Sequence, residues 1–247
     1  MSVGAVLAGA LLLGAPSPFG EVPFRPAGGA ATCLRATGYP GEVVRSTNTG
    51  AQFLTATPNG LVPVAEATPG TSTNGCPEAA AQPSGTGVVA FAGVDGVVRA
   101  ALREPGSAWG EPADVASAPE LSYGHPLAAA VSEHGDAIVA FAGGAQQRHE
   151  VRAVRRAPGA AFAAAETLFT APKRATSRMR VAAGLSATGE AVVAWSFQPA
   201  AGRPREVWAA TAQPGGAFAP AAKVGTLRAG SEFALAVGAG GHALLAF

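Results

Sequence analysis

Apolar residues in this chain are gathered into short runs, and one run recurs inside a fixed phrase. Three copies read Gly135-Asp136-Ala137-Ile138-Val139-Ala140-Phe141, Gly189-Glu190-Ala191-Val192-Val193-Ala194-Trp195 and Gly241-His242-Ala243-Leu244-Leu245-Ala246-Phe247. A looser copy reads Gly85-Thr86-Gly87-Val88-Val89-Ala90-Phe91. Another apolar run precedes each of the three, at 127–131, 181–185 and 233–237, joined to the phrase by Ser132-Glu133-His134, Ser186-Ala187-Thr188 and Gly238-Ala239-Gly240. Two runs of about five apolar residues around a few small, polar, glycine-containing residues predict a β-hairpin. A third run follows, then Pro-Gly and an aromatic: 98–103 with Pro105, Gly106 and Trp109; 151–156 with Pro158, Gly159 and Phe162; 207–212 with Pro214, Gly215 and Phe218. Proline presets one turn dihedral and glycine accepts a positive φ, so the pair predicts a tight turn into a fourth strand.

Each unit therefore reads as four antiparallel strands. The second strands are apolar on both faces, which fits burial between neighbouring sheets. Their closing aromatics, Phe91, Phe141, Trp195 and Phe247, are expected in the core between units, and Trp109, Phe162 and Phe218 over the outer strands. Arg99 with Arg103, and Arg152 with Arg156, lie four residues apart and share a strand face that is expected to be wet, although Arg155 interrupts the alternation. Trp208 stands where the other units have Arg99 and Arg152, which makes it a candidate surface contact.

The closing aromatics recur at intervals of 50, 54 and 52 residues. Four strands at a period near fifty predict an all-β, β-propeller-like array of four-stranded antiparallel blades, about four full repeats plus a partial one. Helical repeats do not fit, because no window keeps helical apolar spacing and Gly and Pro recur too often. A parallel stack or a sandwich is the competing architecture. The organisation is a signal-peptide-like leader and linker over 1–31, then a single repeat domain over 32–247, with repeats near 32–76, 77–125, 126–178 and 179–232 and a partial one at 233–247. The first repeat is degenerate: 32–37 and 42–47 supply a hairpin, and 53–61 a third strand, turn and fourth strand. The last repeat stops after two strands, inside its apolar phrase. Either N-terminal strands complete this blade or the chain is an incomplete copy of a longer propeller, the latter being the expectation.

Composition adds compartment rather than chemistry. The 247 residues are 48% hydrophobic and 13% charged, with 33 Gly and 20 Pro, and the organised runs set the chain apart from low-complexity sequence. A formal charge of +1 points to neither nucleic acid nor an anionic membrane as partner. Residues 3–15 form an apolar stretch too short to span a bilayer, followed by Pro16-Ser17-Pro18; they match the core of a secretory signal, lacking only a preceding basic residue. Secretion or placement in the cell envelope is expected, with no stable membrane insertion of the mature chain. Cys33 and Cys76 are the only cysteines, and in an exported protein they are expected to pair. Closing that loop would stabilise the chain by about 3–4 kcal/mol. Two cysteines without a CxxC predict no zinc site.

Candidate chemistry is sparse. Glu133, His134 and Asp136 flank one hairpin turn, but the equivalent positions in the other units differ, so solvated turns are expected. His125 and His149 stand at strand starts without an HExxH partner. The acids Asp95, Asp114, Glu120, Asp136, Glu166 and Glu190 form no pair marked by spacing as glycoside hydrolysis requires, unless two meet across a central channel. The nucleophile elbow, the P-loop and the dinucleotide fingerprint are absent, and the glycines at 238–241 read as a tight turn. No catalytic residue, metal or cofactor is predicted.

Over 77–247 the succession Gly-Xaa-Ala-hydrophobic-hydrophobic-Ala-aromatic, Val-Xaa-Ala and Pro-Gly-Xaa-Xaa-aromatic resembles secreted bacterial β-propeller repeat proteins of the sialidase-like or WD40-like kind. The resemblance implies an architecture and carries over no catalytic residue. Ser132-Glu133-His134-Gly135 and Ser186-Ala187-Thr188-Gly189 lack the Asp of a sialidase Asp-box turn, and no motif marks Tyr39 or Tyr123 as a nucleophile. The expectation is an exported, non-enzymatic propeller-like binding or scaffold module whose partner is an unknown protein or carbohydrate. A sialidase-like carbohydrate-active hydrolase, or a truncated fragment of a longer propeller, is the alternative.

Overall fold

The computed structural model describes residues 34–36, 42–47, 50–57, 60–66, 76–118, 123–144, 149–173, 175, 178–228 and 231–247, all strands, turns and loops without a helix. The first sheet holds β1 (Leu34–Ala36), β2 (Glu42–Thr47), β3 (Gly50–Thr57) and β4 (Gly60–Glu66). The second holds β5 (Glu78–Ala81), β6 (Gly87–Ala92), β7 (Val97–Arg103) and β8 (Ala113–Ser117). After the short β9 (Tyr123–His125), the third holds β10 (Leu127–Val131), β11 (Ala137–Gly143), β12 (Glu150–Arg156) and β13 (Glu166–Thr170). The fourth is built from β14 (Arg178–Leu185), β15 (Ala191–Phe197), β16 (Arg205–Ala212) and β17 (Ala222–Leu227), and the last pair is β18 (Ala234–Val237) with β19 (Ala243–Ala246). Every meander runs antiparallel in chain order, and first strands of successive sheets touch: β1 with β5, β5 with β10, β10 with β14, β14 with β18. This is the all-β, propeller-like array of four-stranded blades that the repeat predicts.

The hairpins form for the reason the phrase suggests. The turn between first and second strands closes on itself, with the Ser132 amide donating to Asp136 O at 2.8 Å and the Gly135 amide to Ser132 O at 3.1 Å. That path needs a left-handed residue, and Gly85, Gly135, Gly189 and Gly241 supply it at φ of 96, 94, 87 and 79°.

Packing between sheets follows the alternation of the second strands, which are buried at every position of β6, β11 and β15. Val139 and Phe141 of β11 face back onto Val88, Ala90 and Ala92 of β6. Val193 and Trp195 of β15 face back onto Ile138, Ala140 and Ala142 of β11 in the same manner. A large ring thus lands on alanines of the preceding sheet, and Phe91, Phe141 and Trp195 are fully buried.

One copy of the phrase carries Gly87 where the others carry Ala137 and Ala191, and the structure explains the substitution. The same copy has Trp109 after its Pro-Gly turn where the others have Phe162 and Phe218. A methyl group on Gly87 would lie 2.8 Å from Cη2 of Trp109, inside van der Waals contact. The larger ring has taken the space of the missing side chain. These rings therefore fold back over the sheet ends: Trp109 joins the core with Val44, Val89 and Phe91, and Phe162 packs in the core of the third sheet. They do not cover the outer strands.

Two further features depart from the repeat. Strand β9 pairs in parallel with β14, Tyr123 opposite Arg178 and His125 opposite Arg180, giving the fourth sheet a fifth strand. Phe247 is 55% exposed, unlike the other closing aromatics, and its ring rests on Gly225 of β17. The last sheet has two strands among the described residues, so this ring meets a glycine at the sheet's rim instead of a stacked alanine.

The Gly87–Trp109 fit sets a double-mutant test. Gly87→Ala should destabilise the protein by about 1–3 kcal/mol through overpacking, and adding Trp109→Phe should restore part of that loss. Denaturant titration of both singles and the double measures the coupling, and additivity within experimental error would refute the complementarity.

Candidate functional site

In an antiparallel meander the hairpin and Pro-Gly turns gather at one end of the sheets, and the loops between second and third strands at the other. At the first end, turns expected to be merely solvated join one unit to the next. His134 Nδ1 lies 2.8 Å from Ala187 O. The Asp136 carboxyl covers Gly189, 3.3 Å from where a Cβ would stand, and the Glu190 carboxylate covers Gly241. The residues after Gly135 and Gly189 thus each reach the turn of the next unit.

The arginine face is likewise buried in contacts, not wet. Arg103 donates from Nε to Gly85 O at 2.7 Å and from Nη1 to Glu42 Oε1 at 2.6 Å, with Glu42 buried in the first sheet, and stacks 4.7 Å from the Trp109 ring. Arg156 copies this device, donating to Gly135 O at 3.4 Å and to Glu104 Oε1 at 3.1 Å. Arg99 binds both Asp95, at 2.6 Å, and Asp114, at 2.8 Å, and its hydrogen bonding holds the Asp95 carboxyl below the usual range. Arg152 donates to Ser117 O at 2.9 Å and lies over Phe141. Arg155, which broke the alternation, faces the other way, donating to Gly216 O and stacking on Phe218, whose amide bonds to Glu166. Strand periodicity places these residues on shared faces; the neighbouring sheet decides what each face meets.

The opposite end holds a cleft. Between β6 and β7 the chain turns within 93–96, whereas between β15 and β16 it takes the longer path 198–204, tied by Gln198 Nε2 donating to Arg203 O at 2.9 Å. Pro199, Ala200, Arg203, Pro204, Glu206 and Lys223 line a cavity of about 310 Å³ there. Lys223 Nζ donates to Glu206 Oε1 at 2.6 Å, and Trp208 Nε1 to Glu206 Oε2 at 3.0 Å. Lys223 first, and Trp208 after it, pull the Glu206 carboxyl below its ordinary pKa. Trp208 is half-buried, its ring 5.1 Å from that of Phe169, so it backs the cleft wall through Glu206. The sequence signal for this cleft is Pro199 and Pro204 near the two ends of the loop.

The remaining candidates are dispersed. Cys76 is half-buried before β5, while Cys33, Tyr39 and Glu120 lie outside the described residues. His149 is half-buried at the start of β12, and His125 belongs to β9. Among the described residues no group of three His, Cys, Asp or Glu could hold a metal, and no helix is long and apolar enough to cross a membrane.

No protein-family model and no curated protein matches the chain. Among solved structures it is similar to an arginine-to-alanine triple mutant of AofleA from Arthrobotrys oligospora, at 13% identity and a TM-score of 0.48 over 78% of this chain and 56% of that one. The parent AofleA structure gives 13% identity and a TM-score of 0.45, covering 78% and 55%. The fucose-specific lectin from Aleuria aurantia, in a mercury-derivative form, gives 17% identity and 0.43, covering 77% and 58%. The chain spans little more than half the length of each.

A depressed carboxylate pKa means that the stabilisation is present above the ordinary value and lost as pH falls through the depressed one. Acidification from about pH 6 to about pH 3 should therefore free Trp208 from Glu206 and shift tryptophan emission, at a stability cost of about 0.5 kcal/mol or less because the ion pair is near the surface. Glu206→Gln should remove that portion of the pH response; an unchanged emission profile in the variant would contradict the assignment.

Proposed function

We propose that the chain is an exported, non-enzymatic, propeller-like module that binds a protein or carbohydrate partner at the loop end of its blades. The observation that carries this reading is the cleft at 198–204. The units share their core residues and differ in the loops between second and third strands, and the loop at 198–204 lines a cavity of about 310 Å³. Its volume falls at the lower bound of small-ligand sites, which pair apolar walls with a few placed polar groups. Here Pro199 and Pro204 supply apolar wall, and Arg203, Glu206 and Lys223 supply polar groups. Variation on a rigid scaffold is how repeat proteins present binding surfaces. No observation favours the sialidase-like alternative.

Export to an oxidising compartment is supported by the apolar stretch at 3–15, and it would let Cys33 and Cys76 pair. Among the described residues there is no free cysteine.

The test is a panel of glycans and polypeptides presented to the full chain, with fucosylated glycans, the ligand named for the Aleuria aurantia lectin, included. A binder should lose roughly tenfold in affinity on Lys223→Ala or Arg203→Ala, which remove charged contacts, while circular dichroism stays unchanged. Turnover of a panel glycan, or binding indifferent to both substitutions, would overturn the reading. Thiol alkylation without reduction should leave both cysteines unlabelled.

A further inference from the structure

A second charged cluster lies on the face of the fourth sheet that turns toward β18 and β19. Arg178 and Arg180 are two residues apart on β14 and so share that face. Arg180 stands opposite Ser196 of β15, and Arg205, at the start of β16, donates from Nη2 to the buried Ser196 Oγ at 3.0 Å. Both arginines thus flank one buried hydroxyl. Arg180 pairs with Glu232 and lies 5.9 Å from the Phe233 ring. Arg178 is exposed and has no ion-pair partner among the described residues, and Arg205 Nε is buried without one. The charged groups acting on Arg205 are Arg180, Arg178 and Glu232: burial first, then the two like charges, push its guanidinium below its ordinary pKa, and Glu232 opposes them.

This arrangement differs from three arginines of the second and third sheets. The contrast is with Arg99, Arg103 and Arg156, each of which meets a carboxylate of its own, whereas Arg152 meets a backbone carbonyl and a ring. Among the described residues the guanidinium groups of Arg178, Arg180 and Arg205 have one carboxylate beside them, Glu232, which pairs with Arg180, so Arg178 and Arg205 carry their charge beside a hydroxyl and an aromatic ring. Like charges repel, and a fold that holds them together gains when an anion fills the gap. Guanidinium forks match planar or tetrahedral oxygen anions, which accept two parallel hydrogen bonds.

We propose that Arg178, Arg180 and Arg205 form an oxyanion-binding site, taking the carboxylate, sulfate or phosphate group of an acidic ligand where the fourth sheet faces β18 and β19. It is separate from the cleft at 198–204 and does not require that cleft to bind anything.

Calorimetric titration of the full chain with sulfate, phosphate and acetate, at ionic strength held constant with sodium chloride, tests it and separates the three sources. Saturable binding of at least one anion is expected, weakened roughly tenfold by Arg178→Ala, which removes a charged hydrogen-bond donor from an exposed side chain. Arg205→Lys should weaken it too while retaining the charge, since a lysine lacks the fork. Arg228→Ala serves as a control of equal charge change and should leave binding intact. Lys223→Ala should also leave anion binding intact, so a failed cleft and a failed anion site give different results. No saturable binding, or equal weakening by Arg228→Ala, overturns the proposal.

Discussion

The distance between sheets is the constraint on which the rest of this molecule rests. Stacked sheets ordinarily sit about 10 Å apart, and the side chains between them must fill that gap without voids. Here the rings are accommodated by alanines: Ala90 and Ala92, or Ala140 and Ala142, on the forward face of one second strand, with Phe141 or Trp195 on the backward face of the next. Phe141 on Ala90 and Trp195 on Ala140 are the same contact at successive positions. With alanines opposite the rings, the turns of adjacent sheets also touch. His134 can then reach Ala187, and Asp136 can lie over Gly189. The same nearness draws Arg103 and Arg156 out of solvent and onto carboxylates of the preceding unit.

Much of this architecture was legible because its cause is local. Hairpins at Gly135, Gly189 and Gly241 follow from the backbone freedom of one residue, and the buried second strands follow from apolar runs without alternation. What was not legible depends on partners distant in sequence. Arg99 and Arg103 share a face by strand geometry, but only the first sheet's Glu42 and the nearby Asp95 and Asp114 tie that face up in salt bridges. The stretch Tyr123-Gly124-His125 has no periodicity from which a strand could be read, and its partner β14 lies beyond a whole intervening sheet. Phe247 matches Phe141 and Trp195 in its phrase yet rests on Gly225, since identical local sequence says nothing of what the neighbouring strand presents.

The two charged regions at the loop end illustrate one principle from opposite directions. In the cleft, Glu206 is matched by Lys223 and by an indole donor, and Arg203 adds one further positive group to an otherwise apolar wall. Around Ser196 the charges are unequal, and the field of the three arginines would act before any shape is tested. A ligand carrying both a neutral body and an acidic group could meet both kinds of surface, since both flank β16. The repeat supplies identical strands, and the differences between its copies supply the chemistry.

The parallel pairing of β9 with β14 also fixes an order of events. The strand at 123–125 leaves the ribosome after the second sheet is complete but finds its partner only when 178–180 follow. Everything between, the whole of the third sheet, is made inside a loop that this three-residue ladder closes. Loop closure becomes costlier with length, though slowly, and folding of the third sheet shortens the distance to be spanned. The blade made in the middle therefore acts as its own spacer, and once β9 is seated that blade is bracketed, its two ends held by a sheet it does not belong to.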